Sequence, residues 1–518
     1  MPTPRKDQLF SLIKSLTKAE KRNFRLYVQR LQSNEDVKFV RLFDVLDKMD
    51  TYDSALLAKK MRGVTRSQLA NLRRHLYTQI LKSLRLIHIE KNVDIQIREQ
   101  LDHAKILYEK GLYLQALKLL ERIKGVADKT HQDLLRMEII EFQKYIEERH
   151  ITRSRRVRGK MEHLLQEADL LERSISNMVR LSNLKIRIHG LYITMGHARN
   201  EKDHYVVKEY FHSELEKISE KTLSVTERVF LEQSYMWYYY ILLDYEQCHA
   251  HAARWVQLFE ANPQMKEDDP VLYMRGLSYE LTTLYSLRKY QLYLKSLQKF
   301  EQFGEANEKR FTTTQRIIHF LYLTTARINR HFLEGSFSEG ITLVPHIERQ
   351  IRRYREHMDV HRIMVFNYKI AWLFFGAGDY ARSIDYLNEI IQLRAGHLRE
   401  DIQCYARLLH MINHYELGHR DLLKYQIQSV SRFFEKMQDL NRVQAAVLEF
   451  FRKDIASDGP ADRAELEQLR ARIEVLSSEP YERRAFQHLD ILSWIDSKIS
   501  RKSLAQVIQQ RFRKDRKG

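Results

Sequence analysis

The chain has 518 residues, a formal charge of +19, 44% hydrophobic residues and 30% charged ones, so it is long enough for several cores and too apolar to be a disordered chain. Glycine fills 16 positions and proline 7, about 3% and 1.4% against usual values near 7% and 5%, which means few turns and long helices. Two cysteines, Cys248 and Cys404, cannot make a disulfide framework, and the opening MPTPRKDQLF lacks the apolar core of a signal peptide. The longest apolar stretch, Met236 to Leu243, falls far short of the roughly 20 residues a spanning helix needs, so a cytoplasmic protein without a membrane span is expected.

Along the chain the charge is uneven. Residues 1–90 carry +10, residues 501–518 carry +6, and the 410 between them only +3, so any polyanion contact belongs to the two ends. The first start signal is Thr17-Lys-Ala-Glu20, a capping box that opens a helix through NFRLYVQRL. Further on, Ser54 to Ile80 resembles a helix-turn-helix, with Ala58 in the first helix, Gly63 in the turn and Thr65 capping a second helix that exposes Arg66, Gln68, Asn71 and Arg74. Arg, Gln and Asn are base-reading side chains, but the turn is one residue longer than usual and the second helix runs on as an apolar stripe fit to dock on a neighbour. DNA reading, a structural cap and RNA or ribosome contact all remain open for this segment.

Beyond residue 90, ALKLLERI, HLLQEADLLERSI and YLNEIIQL place apolar residues at three- and four-residue steps, and no window alternates like a strand. An all-α chain is therefore expected. The run Arg149 to Lys160 holds six basic residues and reads as a solvated helix junction, while Ser457 to Glu465 is the one compact Gly/Pro cluster and marks a soft boundary.

A frame recurs six times. Turn positions fall at Gly111, Leu243, Arg288, Gly335, Gly378 and Gly418, each with an aromatic residue three places earlier: Tyr108, Tyr240, Tyr285, Phe332, Phe375 and Tyr415. The later copies are 45, 47, 43 and 40 residues apart, and the gap of 132 between the first two leaves room for two degenerate copies between 112 and 242. The template, Ala371 to Ile391, resembles a tetratricopeptide repeat, with Ala371, Gly378, Tyr380, Ser383 and Leu387 at the family's packing positions. The period is longer than the usual 34 or so. As a whole the chain also resembles uncharacterised bacterial tetratricopeptide-containing proteins through LIKSLTKAEKRNFRLY and LDILSWIDSKI.

That resemblance implies a right-handed superhelical solenoid of helical hairpins: a basic cap over residues 1–90, about eight repeats over 91–440, and a C-terminal cap over 441–518 with a basic tail. It also implies a concave groove lined by Trp237, Tyr240, Trp372 and Phe375, although long helices would equally bury such rings between repeats. The family's carboxylate clamp is not evident, since Gln233 and Tyr368 stand where its residues would be looked for.

No phosphate-binding glycine loop, HExxH, CxxC or GxSxG occurs, so no catalytic residue, cofactor or metal site is expected. His357 with His361, and Cys248 with His251, share helical faces but lack further ligands. The leading expectation is a non-enzymatic adaptor that holds a segment of an unknown protein or peptide. The alternative is a nucleic-acid-binding regulator using Arg66, Gln68, Asn71, Arg73 and Arg74 near one end, and Arg511, Arg513 and Lys514 at the other.

Overall fold

The computed structural model describes residues 7–30, 36–89, 92–150, 159–218, 223–393, 400–437, 441–456 and 462–516, and among these it is all-helical with no strand. The chain divides into two compact units, Met1–Ile175 and Ser176–Gly518. Most of the basic run at 149–160 and the first part of the Gly/Pro cluster at 457–465 lie outside the described residues.

The first unit begins with α1 (Gln8–Ser15), α2 (Lys18–Gln29), α3 (Asp36–Lys48), α4 (Ser54–Lys60) and α5 (Arg66–His88). The Thr17 capping box forms as the sequence requires: the Thr17 hydroxyl accepts from the Glu20 N–H, and Glu20 accepts from the Thr17 N–H at 2.7 Å. Thr65 and Gln68 repeat the arrangement at the head of α5. These helices close on one core in which Phe24, Phe39, Phe43, Leu46, Leu76 and Ile80 are buried. A second core lies under α6 (Val93–Glu109), α7 (Tyr113–Lys129) and α8 (Asp133–Arg149), where Ala104 and Ala116 are small enough to be fully buried.

After α9 (Lys160–Met195) the helices are α10 (Glu201–Leu215), α11 (Val225–Ile241), α12 (Tyr245–Ala261), α13 (Pro263–Asp268), α14 (Pro270–Ser286), α15 (Tyr290–Asn307) and α16 (Thr313–Glu334). Then follow α17 (Phe337–Ile341), α18 (Val344–Tyr354), α19 (Val360–Gly376), α20 (Tyr380–Ile391), α21 (Glu400–Glu416) and α22 (Arg420–Met437). The chain closes with α23 (Arg442–Ala456), α24 (Arg463–Ser478), α25 (Ile491–Ser500) and α26 (Leu504–Asp515). Most packing is between helices close in sequence: α11 on α12, α12 on α14, α19 on α20, α20 on α21. A departure from that order is α26, which returns to pack on α16.

All six recurrent turn positions adopt the left-handed backbone, with φ of 76° at Gly111, 61° at Leu243, 54° at Arg288, 70° at Gly335, 84° at Gly378 and 72° at Gly418. In five of them the turn residue's N–H donates to the carbonyl of the aromatic three places earlier, as Gly378 does to Phe375 at 3.0 Å, and the next N–H reaches one residue further back. This pairing satisfies the helix's last carbonyls and demands positive φ. Gly335 differs: its N–H and that of Ser336 both bond to the His331 carbonyl. A side chain there would also collide with the Ala505 carbonyl oxygen, 2.9 Å from the Cβ position, so this glycine is what lets α26 approach.

Ala116, Leu120, Cys248, Ala252, Tyr293, Leu297, Ser383 and Leu387, which occupy the recurrent packing positions after the turns, are all buried. Among the described residues no helix is long and apolar enough to cross a membrane.

Candidate functional site

The C-terminal unit carries a partly open cavity of about 680 Å³. One side is made by α14, α16 and α19, which contribute Tyr285, Asn329, Tyr368, Lys369 and Trp372. The opposite side is made by the returning segment, through Gln487, Asp490, Arg511 and Arg516. That segment is tied down by polar contacts to the helices it faces. The Tyr368 hydroxyl donates to the His488 carbonyl at 2.8 Å, the Ser286 hydroxyl to Gln487 Oε1 at 3.1 Å, and Gln509 Nε2 to the Gly335 carbonyl at 3.1 Å. The Phe512 ring meets Tyr290 edge-on at 4.6 Å.

Half-buried Asp490 organises the basic side of the cavity. Arg511 donates to it at 2.6 Å and to the Ser493 hydroxyl at 2.7 Å, and Arg288 stands 3.8 Å from the same carboxylate oxygen. Desolvation would raise the Asp490 carboxyl, but the charge and hydrogen bonds of Arg511, with Arg288 behind them, hold it below the usual carboxylate range. At the other end, His197 donates from Nδ1 to the Tyr240 carbonyl at 2.9 Å. Burial, with His488 nearby, pushes this imidazole down to about 4, which keeps it neutral near pH 7.

Of the expected groove rings, Trp237, Trp372 and Phe375 are 8%, 5% and 2% exposed, so they pack mainly among helices, while Tyr240 is half-buried. Trp237 lies within 5.5 Å of the rings of His189, Tyr192, Tyr240 and Tyr279. Trp372 stacks on Phe375 at 5.2 Å. Tyr240 and Trp372 both line the cavity, whereas Trp237 and Phe375 are not on its wall. Arg511, expected at a nucleic-acid surface, turns instead toward Asp490; Arg513 and Lys514 on the same helix are exposed.

In the N-terminal unit, α4, a turn containing Gly63 at φ 87° and α5 stand where the helix-turn-helix reading puts them. Arg66, Gln68, Asn71 and Arg74 are exposed on α5. Gln68 also serves the cap, accepting from the Thr65 N–H at 2.9 Å. Arg73, expected beside them at a nucleic-acid surface, points inward to Asp7 and donates to the Tyr52 hydroxyl at 2.6 Å, so its guanidinium ties α5 to the start of the chain.

Cys248 is buried, its thiol donating to the Met236 carbonyl at 3.3 Å, and desolvation pushes it well above its ordinary range, so it is not a poised nucleophile. His251 pairs with Glu232 at 2.7 Å and stacks on Tyr235. Among the described residues, His331, Glu334 and Glu339 form the one group with metal-ligand spacing. There Glu334 already accepts from Arg330 at 2.7 Å, from the Tyr290 hydroxyl at 2.5 Å and from the Ser336 hydroxyl at 2.9 Å. Its oxygens are spent on holding the α16 terminus.

The Asp490 cluster and the cavity were not legible in the sequence. Their residues come from segments up to about 200 positions apart, as the Ser286–Gln487 bond shows, and no spacing rule joins them. Comparison with known proteins gives no matching family model, no matching curated protein and no matching solved structure.

Proposed function

We propose that the chain is a non-enzymatic adaptor, a tetratricopeptide-like array of helical hairpins that holds a segment of another protein. The observation that carries this reading is that the helices already hold a segment of their own chain: the Tyr368 hydroxyl donates to the main-chain carbonyl of His488 at 2.8 Å, while Gln509 of the returning segment donates back to the Gly335 carbonyl at 3.1 Å. Hydrogen bonds to main chain are indifferent to the bound sequence, and neighbouring aromatic faces such as Tyr240 supply selectivity. Hairpins that pack chiefly on their sequence neighbours also leave faces open to a partner.

Selection of displayed peptides on the purified full chain tests this. A family of related peptides should emerge and lose affinity with Tyr240→Ala. Failure to enrich any related family, or binding indifferent to Tyr240→Ala, would count against the adaptor.

A second reading, a nucleic-acid-binding regulator, is favoured by one observation: Arg66, Gln68, Asn71 and Arg74 all stand exposed on the first turns of α5. Selection from a random duplex pool at about 150 mM salt separates the two, because non-specific phosphate contact weakens steeply with salt. A recovered consensus whose preference relaxes with Asn71→Ala would favour the regulator. Binding without sequence preference would leave the adaptor in place.

A further inference from the structure

We propose that the cavity of the C-terminal unit binds a small polyanion carrying a flat ring, a ligand of the nucleoside phosphate class. The inference goes beyond the adaptor reading and does not depend on it. Size comes first: about 680 Å³ lies in the range of small-molecule sites, roughly 300 to 1,000 Å³. The returning segment 486–516 walls the cavity on one side, which leaves room for a compact ligand.

Charge decides the sign of the ligand. Arg288, Lys289, Lys369, Arg511 and Arg516 line the cavity against two carboxylates, Asp490 and Asp515. Arg511 is committed to Asp490 at 2.6 Å, and Lys289 to Glu246 at 2.7 Å. Arg288 shares Asp490 only at 3.8 Å, and Arg516 lies over the rings of Tyr290 and Phe512 at 5.9 and 5.7 Å. Two guanidinium groups drawn to one carboxylate, with further cations on the same wall, leave a net positive potential at the cavity, where Arg288 and Arg516 are exposed. A guanidinium fork matches phosphate oxygens, which makes Arg288 and Arg516 the groups that would meet them.

The body of the ligand follows from the rest of the lining. Tyr240, Tyr285 and Trp372 present aromatic surface to the cavity, and planar rings bind such surfaces by offset or edge contact. Thr282, Asn329 and Gln487 add neutral polar side chains of the kind that fix a ring's orientation.

Calorimetry on the full chain with ATP, adenosine and pyrophosphate as probes tests both halves. ATP should bind, with adenosine and pyrophosphate each weaker by about tenfold or more, since each lacks one half of the recognition. Arg288→Gly and Arg516→Ala should each weaken ATP by about tenfold. Arg288→Gly is chosen because position 288 has φ 54° and glycine occupies four of the other recurrent turns, so the fold tolerates it, which an unchanged helical spectrum verifies. No heat with ATP would overturn the proposal. So would pyrophosphate or adenosine binding as tightly as ATP, or ATP affinity unmoved by both substitutions.

Discussion

The rings of Phe375 and Tyr380 meet at 5.6 Å across the turn between α19 and α20. Tyr108 with Tyr113, Tyr240 with Tyr245 and Phe332 with Phe337 repeat the relationship at 5.3, 6.1 and 6.2 Å. The aromatic three residues before each of these turns therefore clasps the aromatic two residues after it. The recurrent rings thus act locally, holding the end of one helix against the start of the next while the left-handed residue between them closes the main chain.

Replacing Tyr380 with alanine should lower stability by about 1 kcal/mol beyond the loss of buried area, because the clasp with Phe375 goes with it. Urea unfolding followed by helical circular dichroism measures this.

The two turns without glycine should respond in opposite ways to gaining one. Arg288→Gly relieves a left-handed backbone that costs a non-glycine residue about 1 kcal/mol and gives up only a half-exposed side chain, so unfolding should shift upward. Leu243→Gly relieves the same backbone but removes a buried leucine worth about 2 kcal/mol, and unfolding should shift downward.

Trp237→Ala and Trp372→Ala should each cost about 3 to 5 kcal/mol, as expected of packed rings, with a matching fall in thermal midpoint. Tyr240→Ala, at a half-buried position on the cavity wall, should cost less. Equal midpoints for all three would contradict the packing described.

Gly335→Ala should loosen α26, because the added methyl meets the Ala505 carbonyl oxygen and strains a left-handed turn. The expected result is faster trypsin cleavage at the exposed Arg501 and Lys502, with the remaining core intact on a gel. Cleavage at the wild-type rate would mean that this contact does not hold the segment.

Acidification should destabilise the C-terminal unit between about pH 6.5 and pH 4. His197 is held near 4 in the folded protein, so in that window the unfolded chain binds the extra proton and gains from it. The full linkage is about 3 kcal/mol for this one imidazole, absent above the unfolded value and complete below the folded one. A His197→Gln variant should show a shallower fall of midpoint with pH over that window; an unchanged slope would remove His197 from the account.

The local features were written in the sequence because each is decided within a few residues. Thr17 with Glu20 names a helix start, and a glycine or its substitute three residues after an aromatic names a turn, since capping and left-handed geometry depend on neighbours in the chain. Helical periodicity fixed the all-α class for the same reason. What tertiary structure alone decided is where the long-range partners fall. Nothing in the spacing of Arg511, Asp490 and Arg288 foretells that two guanidinium groups converge on one carboxylate, or that α26 lies against Gly335. Nor does helical period distinguish a tryptophan facing a groove from one packed between helices: Trp237 and Tyr240 lie on one helical face, yet only Tyr240 reaches the cavity. A side chain's helical face follows from period, but what covers that face depends on segments hundreds of residues away, and that is set by packing of the whole unit.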